Sequence, residues 1–184
     1  MVVITISGPH GAGKSTYAKA IADHFSLRYI SSGKTFRKLA EKAQLNLEAF
    51  SKKCENDFSI DREIDAITKD EAAKGDVVLE GQLASWMAKD YADFNIYVTA
   101  SLEIRVKRIS GRDERSFEEA LEETKYRRDS EINRFKIIYG VDLEDQSIYD
   151  LILNTERLSK EVCLEILLAA CETFIEHEKP HSSH

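Results

Sequence analysis

The chain has 184 residues, of which 42% are hydrophobic and 32% charged, a composition that excludes a disordered protein and favours one globular domain. The net charge of −7 argues against a general nucleic-acid-binding surface. No apolar run approaches the roughly 20 residues of a membrane span, the opening VVITIS has no basic leader, and the three cysteines form no C-x-x-C pair. We expect a cytoplasmic protein that binds neither membrane nor nucleic acid, with a monomer slightly favoured.

Short apolar strands alternate with helical segments along the whole chain. The predicted strands are Val2–Ser7, Leu27–Ser31, Val77–Glu80, Phe94–Thr99 and Tyr149–Leu153. The predicted helical segments are Lys14–Phe25, a helix from about Gly33, Leu47–Ala73, Leu102–Ile109, a long helix starting at the capping box Ser116-x-x-Glu119, and Ser159–His177. The alternation predicts an α/β fold, a five-stranded parallel sheet with helices on both faces. We expect this domain to span residues 1–177, followed by a frayed tail at 178–184.

The segment between the first strand and the first helix reads GPHGAGKS and matches the phosphate-loop pattern G-x-x-x-x-G-K-[ST]. Glycines let backbone N–H groups converge on phosphate oxygens, and the following helix adds its positive end. Lys14 is predicted to reach the β- and γ-phosphates of ATP, and the Ser15 hydroxyl to ligate Mg²⁺. The predicted ATP-binding residues are Gly8, Pro9, His10, Gly11, Ala12, Gly13, Lys14, Ser15 and Thr16. His10 stands at a variable position, which favours a bystander over a general base.

Arginines are concentrated in one window of the chain. No N-K-x-D segment and no strand ending in D-E or D-x-x-G is present, which argues against GTPases, motor ATPases and switch proteins. Seven of the eleven arginines lie between positions 105 and 134, namely Arg105, Arg108, Arg112, Arg115, Arg127, Arg128 and Arg134. The first three share one helix face. The alternative is a solvated face of ion pairs, because the window also holds eight acidic residues.

Guanidinium groups bind phosphate bidentately and keep their charge, so this window is predicted to be a lid over a transferring phosphoryl group. Gly111 is a candidate hinge for lid closure. The predicted catalytic residues are Lys14, Arg105, Arg108, Arg112 and Arg128.

The second strand–helix junction supplies a candidate acceptor site. Ser31-Ser32-Gly33 ends the strand and Arg37 follows about one helical turn later, where a bound phosphate would face the triphosphate across the sheet edge. The alternative is a helix cap with one surface arginine. At the end of the third strand, Glu80 is a candidate for magnesium-bound water or for an acceptor group, the alternative being a structural turn. The predicted acceptor-site residues are Ser32, Gly33, Arg37, Glu80, Gly81, Gln82, Arg127 and Arg134.

Taken together, GPHGAGKST, SSGKTFR, the Glu80-Gly81 turn and the arginine-rich window resemble nucleoside monophosphate kinases. The pattern is most similar to the archaeal type of cytidylate kinase over nearly the whole chain, including LEGQLASWM and YGVDLEDQSIYDLILNT. The resemblance implies the P-loop NTPase fold, with a monophosphate-binding region at about 32–74 and a lid at about 105–134. Members of the family commonly carry arginine where this chain has Gln82, and an amide supplies no positive charge.

The resemblance also implies an activity, the transfer of the ATP γ-phosphoryl group to CMP or dCMP with Mg²⁺. Carried over by position, residues 8–16 bind ATP, Arg37 binds the acceptor phosphate, and the lid arginines stabilise the moving charge. Two alternatives stay open. One is a kinase for another small acceptor such as AMP, UMP or dephospho-coenzyme A, and the other is a regulatory ATP-binding protein. Shikimate is disfavoured because no D-x-D follows the second strand.

Overall fold

The computed structural model describes residues 1–177, and the predicted tail at 178–184 lies outside them. Its strands are β1 (Val3–Ser7), β2 (Arg28–Ser31), β3 (Val77–Glu80), β4 (Phe94–Thr99) and β5 (Leu151–Asn154). All neighbouring strands pair in parallel, in the order β2-β3-β1-β4-β5. The predicted α/β fold with a five-stranded parallel sheet is therefore confirmed.

The helices follow the predicted order with local differences. They are α1 (Lys14–Phe25), α2 (Ser32–Lys42), α3 (Leu47–Cys54), α4 (Ser59–Ala73), α5 (Ala84–Met87), α6 (Leu102–Asp113), α7 (Phe117–Tyr139) and α8 (Lys160–His177). The predicted helical stretch 47–73 is divided because the Asp57 carboxylate accepts hydrogen bonds from the N–H and the hydroxyl of Ser59, which starts α4 anew. The four-residue α5 was not predicted.

The sheet is buried on both faces, as a parallel sheet requires. On one face, Ile4 and Ile6 of β1 pack with apolar side chains of α1 and α8, among them Ile21 and Leu167. On the other face, the β3 residues Val77 and Leu79 form a smaller cluster with residues of α4 and α5. No helix within residues 1–177 is long and apolar enough to cross a membrane.

Three helices form a separate layer beside the sheet. Phe36 of α2, Phe50 and Cys54 of α3 and Ile64 of α4 make a cluster of their own, and α3 also packs against α7. This arrangement places α2, α4 and α7 around one space near the carboxyl ends of the strands, where open parallel sheets bind ligands.

The two arginine-bearing helices are joined by a short turn. Gly111, the candidate hinge, lies inside α6, so the break between the helices falls at Glu114 instead, whose φ of 52° ends the helix in the left-handed conformation. The predicted capping box at the start of α7 is confirmed, with the Ser116 hydroxyl accepting from the Glu119 N–H and the Glu119 carboxylate accepting from the Ser116 N–H.

Candidate active site

A cleft of about 520 Å³ lies at the carboxyl end of the sheet, between the loop after β1 and helices α2, α4, α6 and α7. It brings together most of the predicted site residues, namely His10, Gly11, Gly13, Lys14, Ser15, Thr16, Ser32, Gly33, Arg37, Glu80, Gly81, Gln82, Arg108, Arg112, Arg127 and Arg134. Gly8, Pro9, Ala12, Arg105 and Arg128 do not line it. The residues predicted from distant parts of the chain thus face one space.

The loop from Gly8 to Lys14 wraps the start of α1. Gly13 caps the helix with φ of 98°, and the buried Lys14 ammonium donates a 3.0 Å hydrogen bond to the Pro9 carbonyl. Burial lowers the pKa of Lys14, and the carboxylates of Glu80 and Glu131 oppose that shift. A desolvated ammonium beside a helix N-terminus is a suitable partner for phosphate oxygens.

Gly8 is tightly enclosed, and we expect Gly8→Ala to destabilise the protein. A Cβ at position 8 would lie 2.1 Å from the backbone oxygen of Val98 in β4, and the backbone φ of 143° disfavours any L side chain. The expected loss is about 2 kcal/mol or more in the free energy of unfolding, measured by denaturant titration. Gly111→Ala is the matched control, because Gly111 has nothing within 4 Å of its Cβ position and is helical. An unchanged midpoint for Gly8→Ala would contradict the close packing of the loop on β4.

Glu80 and Ser15 form the oxygen-rich part of the cleft. Glu80 is only 3% exposed, and its Oε2 accepts from the hydroxyls of Ser15 at 3.1 Å and Ser31 at 2.5 Å. Hydroxyl and carboxylate oxygens are ligands that Mg²⁺ takes directly or through water. The residues present therefore fit a nucleotide-bound magnesium ion beside Ser15.

Arg37 projects from α2 into the same cleft. Within residues 1–177 its guanidinium has no hydrogen-bonding partner, although Glu80 contributes a favourable charge. Burial and the positive charges of Arg112 and Arg127 lower the pKa of Arg37. Cations that face one another across a cleft repel one another, and a bound anion removes that repulsion. The part of the cleft around Arg37 is therefore suited to a phosphate group.

Two of the arginines predicted to be catalytic have other contacts. Arg105 is buried and donates to the backbone oxygens of Ala100 at 3.0 Å and His10 at 2.9 Å, so it ties the phosphate loop to the start of α6. Arg128 does not line the cleft and forms an ion pair with Glu144 at 2.9 Å. The helical spacing predicted that Arg105 shares a face with Arg108 and Arg112. In the structure Arg105 is buried and binds backbone carbonyls instead.

The arginines that line the cleft are held in different ways. Arg108 donates to the Thr155 hydroxyl at 2.9 Å and to the Thr155 carbonyl at 2.8 Å. Arg112 pairs with the adjacent Asp113 at 2.6 Å. Arg127 lies 3.8–3.9 Å from the carboxylates of Glu123 and Glu131, with no closer ion pair in the described chain. The ion pairs of the predicted alternative are therefore present, but Arg108, Arg112 and Arg127 also line the cleft.

His10 connects the phosphate loop to α7. Its Nε2 lies 2.8 Å from a Glu131 carboxylate oxygen and 2.9 Å from Gln82 Nε2, and Gln82 also donates to Glu131. Burial and the charge of Arg127 lower the pKa of His10, and the Glu131 carboxylate opposes that shift. The sequence indicated no partner for His10, because Glu131 is more than 100 residues away.

Sequence reasoning missed two buried carboxylates of α4. Asp61 Oδ2 lies 2.9 Å from Arg134 Nε, and Arg134, 2% exposed, also donates to the Ser130 hydroxyl and the Ser51 carbonyl. Asp65 lies one turn further along α4 and is 7% exposed. The available signal was the placement of two aspartates four residues apart on the same face as Ile64.

Comparison with known proteins shows which protein family the sequence resembles. A model described as "Cytidylate kinase-like family" matches residues 3–157. A cytidylate kinase of Staphylothermus marinus is 49% identical over 95% of this chain and 99% of its own length. One from Haloarcula marismortui is 43% identical over 94% of this chain and 91% of its own.

Several solved structures have a fold similar to that of this chain. A shikimate kinase of Acinetobacter baumannii in complex with shikimate has a TM-score of 0.62 at 15% identity, covering 97% of this chain and 96% of its own. An uncharacterised protein from Eubacterium ventriosum has a TM-score of 0.68 at 14% identity, covering 94% and 99%. At such low identity the likeness concerns the fold alone.

Proposed function

The chain belongs to the cytidylate kinase-like family, and on that basis we propose that it transfers the γ-phosphoryl group of ATP to CMP, and also to dCMP, producing ADP and the cytidine diphosphate. The observation that carries the proposal is the meeting of the phosphate loop and Arg37 across one cleft. A kinase needs a donor site and an acceptor site that face each other. Small nucleotides are the proposed ligands, and the proposed state is a monomer.

The two sites are assigned to different parts of the proposed domain, residues 1–177. The ATP phosphates lie on residues 8–16, with Lys14 against the β- and γ-phosphates. The acceptor occupies the region of about 32–74, with its phosphate on Arg37 and with Ser32, Gly33 and the Glu80–Gln82 turn beside it. Arg127 and Arg134 belong to the acceptor side because they face α2 and α4 across the cleft.

In the reaction an oxygen of the acceptor phosphate forms a bond to the γ-phosphorus, and the bond from that phosphorus to the β–γ bridging oxygen breaks. No general base is required, because the acceptor phosphate is already an anion. The protein's contribution is to align the two groups and to place positive charge around the transferring one. Of the cations that line the cleft, we assign Lys14, Arg108 and Arg112 to this task.

A magnesium ion held by Ser15, with Glu80 next to it, would neutralise charge on the β- and γ-phosphates. Closure of the lid, residues 105–134, would exclude water and limit hydrolysis. Within residues 1–177 the ion pair of Arg112 is the exposed one with Asp113, so Arg112 can be released to a phosphate at little cost. Arg105 and Arg128 keep supporting roles, the first by holding the loop and the second by fixing α7.

The proposal is tested by an ADP-release assay with Mg-ATP and each of CMP, dCMP, UMP, AMP and GMP. We expect a large acceleration with CMP and dCMP over the rate with ATP alone, because the acceptor supplies the nucleophile. A preference for AMP or UMP would keep the reaction type and replace the substrate. Equal slow ADP formation with and without every monophosphate would contradict a kinase and favour a regulatory ATPase.

A further inference from the structure

His10 belongs to the phosphate loop, but its side chain contacts residues on two other parts of the chain. Its Nε2 lies 2.8 Å from a carboxylate oxygen of Glu131 and 2.9 Å from Nε2 of Gln82, which itself donates to Glu131. The three side chains come from the loop after β1, the turn after β3 and helix α7. Each of them therefore limits the movement of the other two.

Glu131 is the centre of these contacts and is only 5% exposed. A buried carboxylate beside a phosphate-binding cleft is unfavourable in two ways, because it loses its hydration and repels the phosphates of a ligand. Neighbouring groups that donate to the carboxylate or carry positive charge offset this. Besides His10 and Gln82, the Arg127 guanidinium lies 3.8 Å away, one turn earlier in α7. The role of Glu131 is therefore to hold these groups rather than to contact a nucleotide phosphate.

The contacts continue from Glu131 to the helix that carries Arg37. The Arg127 guanidinium lies over the ring of Phe36 in α2, 5.6 Å from its centroid. Phe36 directly precedes Arg37, the residue proposed to bind the acceptor phosphate. One series of contacts thus runs from the donor loop through Glu131 and Arg127 to the acceptor helix, and a shorter one runs directly to Gln82.

We propose that the His10 side chain positions the acceptor site, acting through Gln82 and Glu131 rather than by a contact of its own with CMP. This rests on the proposed function, because it concerns the acceptor of the same reaction. Side chains that are fixed before the ligand arrives need not be ordered by it, so binding is tighter. A residue of the ATP-binding loop thus contributes to the affinity for CMP even when no ATP is bound.

The test measures the dissociation constant of CMP by calorimetry, without ATP and at one fixed pH. We expect His10→Ala to raise this constant about 3- to 10-fold, the change typical of losing one hydrogen bond. His10→Gln should restore it to within about twofold of wild type, because a glutamine amide can take the position of Nε2 and donate to Glu131. His24→Ala is the matched control, since His24 is exposed in the last turn of α1, and it should leave the constant unchanged.

The reciprocal measurement uses Gln82→Ala and a non-hydrolysable ATP analogue, magnesium adenylyl imidodiphosphate, without CMP. Gln82 lies on the acceptor side, yet its loss should raise the dissociation constant of the analogue about 2- to 5-fold, because one contact that holds His10 is removed. A local structural role would alter only the site to which each residue belongs. For CMP, His10→Ala should have a smaller effect in the Gln82→Ala background than in wild type, since both residues act through one set of contacts.

The outcomes separate this proposal from the proposed kinase activity. An unchanged CMP dissociation constant in His10→Ala overturns the positioning role, while the ADP-release assay still reports a kinase. Fully additive effects of His10→Ala and Gln82→Ala on CMP binding also overturn it, because they indicate a direct contact of His10 with the nucleotide. If His10→Ala fails to fold, unchanged binding of the ATP analogue to Gln82→Ala overturns the proposal instead. If no monophosphate accelerates ADP formation in wild type, the kinase itself is overturned, and the positioning role with it.

Discussion

Lys14→Ala is expected to lower kcat for phosphoryl transfer about 100- to 1000-fold, the loss typical of removing one group that stabilises a transition state. The Lys14 ammonium is buried and follows the phosphate loop, its only hydrogen bond in the described chain being the one to the Pro9 carbonyl. It can therefore transfer to a phosphate oxygen without breaking an ion pair. Rapid-quench measurement of a single turnover isolates this step from product release.

Lys19→Ala is the control for Lys14. Lys19 lies on the same helix and is exposed, and its one ion pair in the described part of the chain is the surface pair with Asp23 at 3.4 Å. Its removal should therefore leave kcat unchanged. Lys14→Met keeps most of the buried stem and separates loss of charge from loss of packing. Near-normal turnover of both Lys14 variants would refute the assignment of the phosphate loop.

Arg37→Ala is expected to raise the KM for CMP about 10- to 100-fold, because a charge-assisted hydrogen bond to phosphate contributes about 1.5–3 kcal/mol. Arg37 has no partner within residues 1–177, so its removal leaves no protein group unpaired, and stability should hardly change. The KM for ATP should stay within about twofold of wild type, since ATP lies on the loop. Initial rates with each substrate varied in turn give both constants.

The neighbouring Lys38, exposed on the same helix, provides the control for Arg37, and Lys38→Ala should alter neither KM. An equal rise in both Michaelis constants for Arg37→Ala would show that the residue serves ATP or the fold. A rise for CMP alone would support the acceptor site.

Local patterns were enough to predict the sheet and the phosphate loop. Val77–Glu80 and Phe94–Thr99 are short, largely apolar segments rich in β-branched residues, which favour strands, and both match the structure in full. The start of α7 was predictable because Ser116 and Glu119 interact within one turn. Each of these features depends on residues close together in the chain.

The parts that could not be predicted depend on contacts between distant segments. Helical spacing placed Arg105 and Arg108 on one face, but the first is bound to the His10 carbonyl and the second to Thr155, on the loop after β5. Likewise Gln82 donates to Glu131 on α7. Which arginine is free for a ligand follows from such tertiary partners, and spacing carries no information about them.

His10 is held from two sides, by Glu131 of α7 at its ring and by Arg105 of α6 at its carbonyl. The conformational entropy of this part of the loop is therefore lost when the domain folds and not when a nucleotide arrives. A loop that is already ordered lets more of the interaction energy appear as affinity. The same two contacts fix the loop to both helices of the lid, α6 and α7. A closing motion of these helices must therefore either move the loop with them or involve only the residues beyond Arg105 and Glu131.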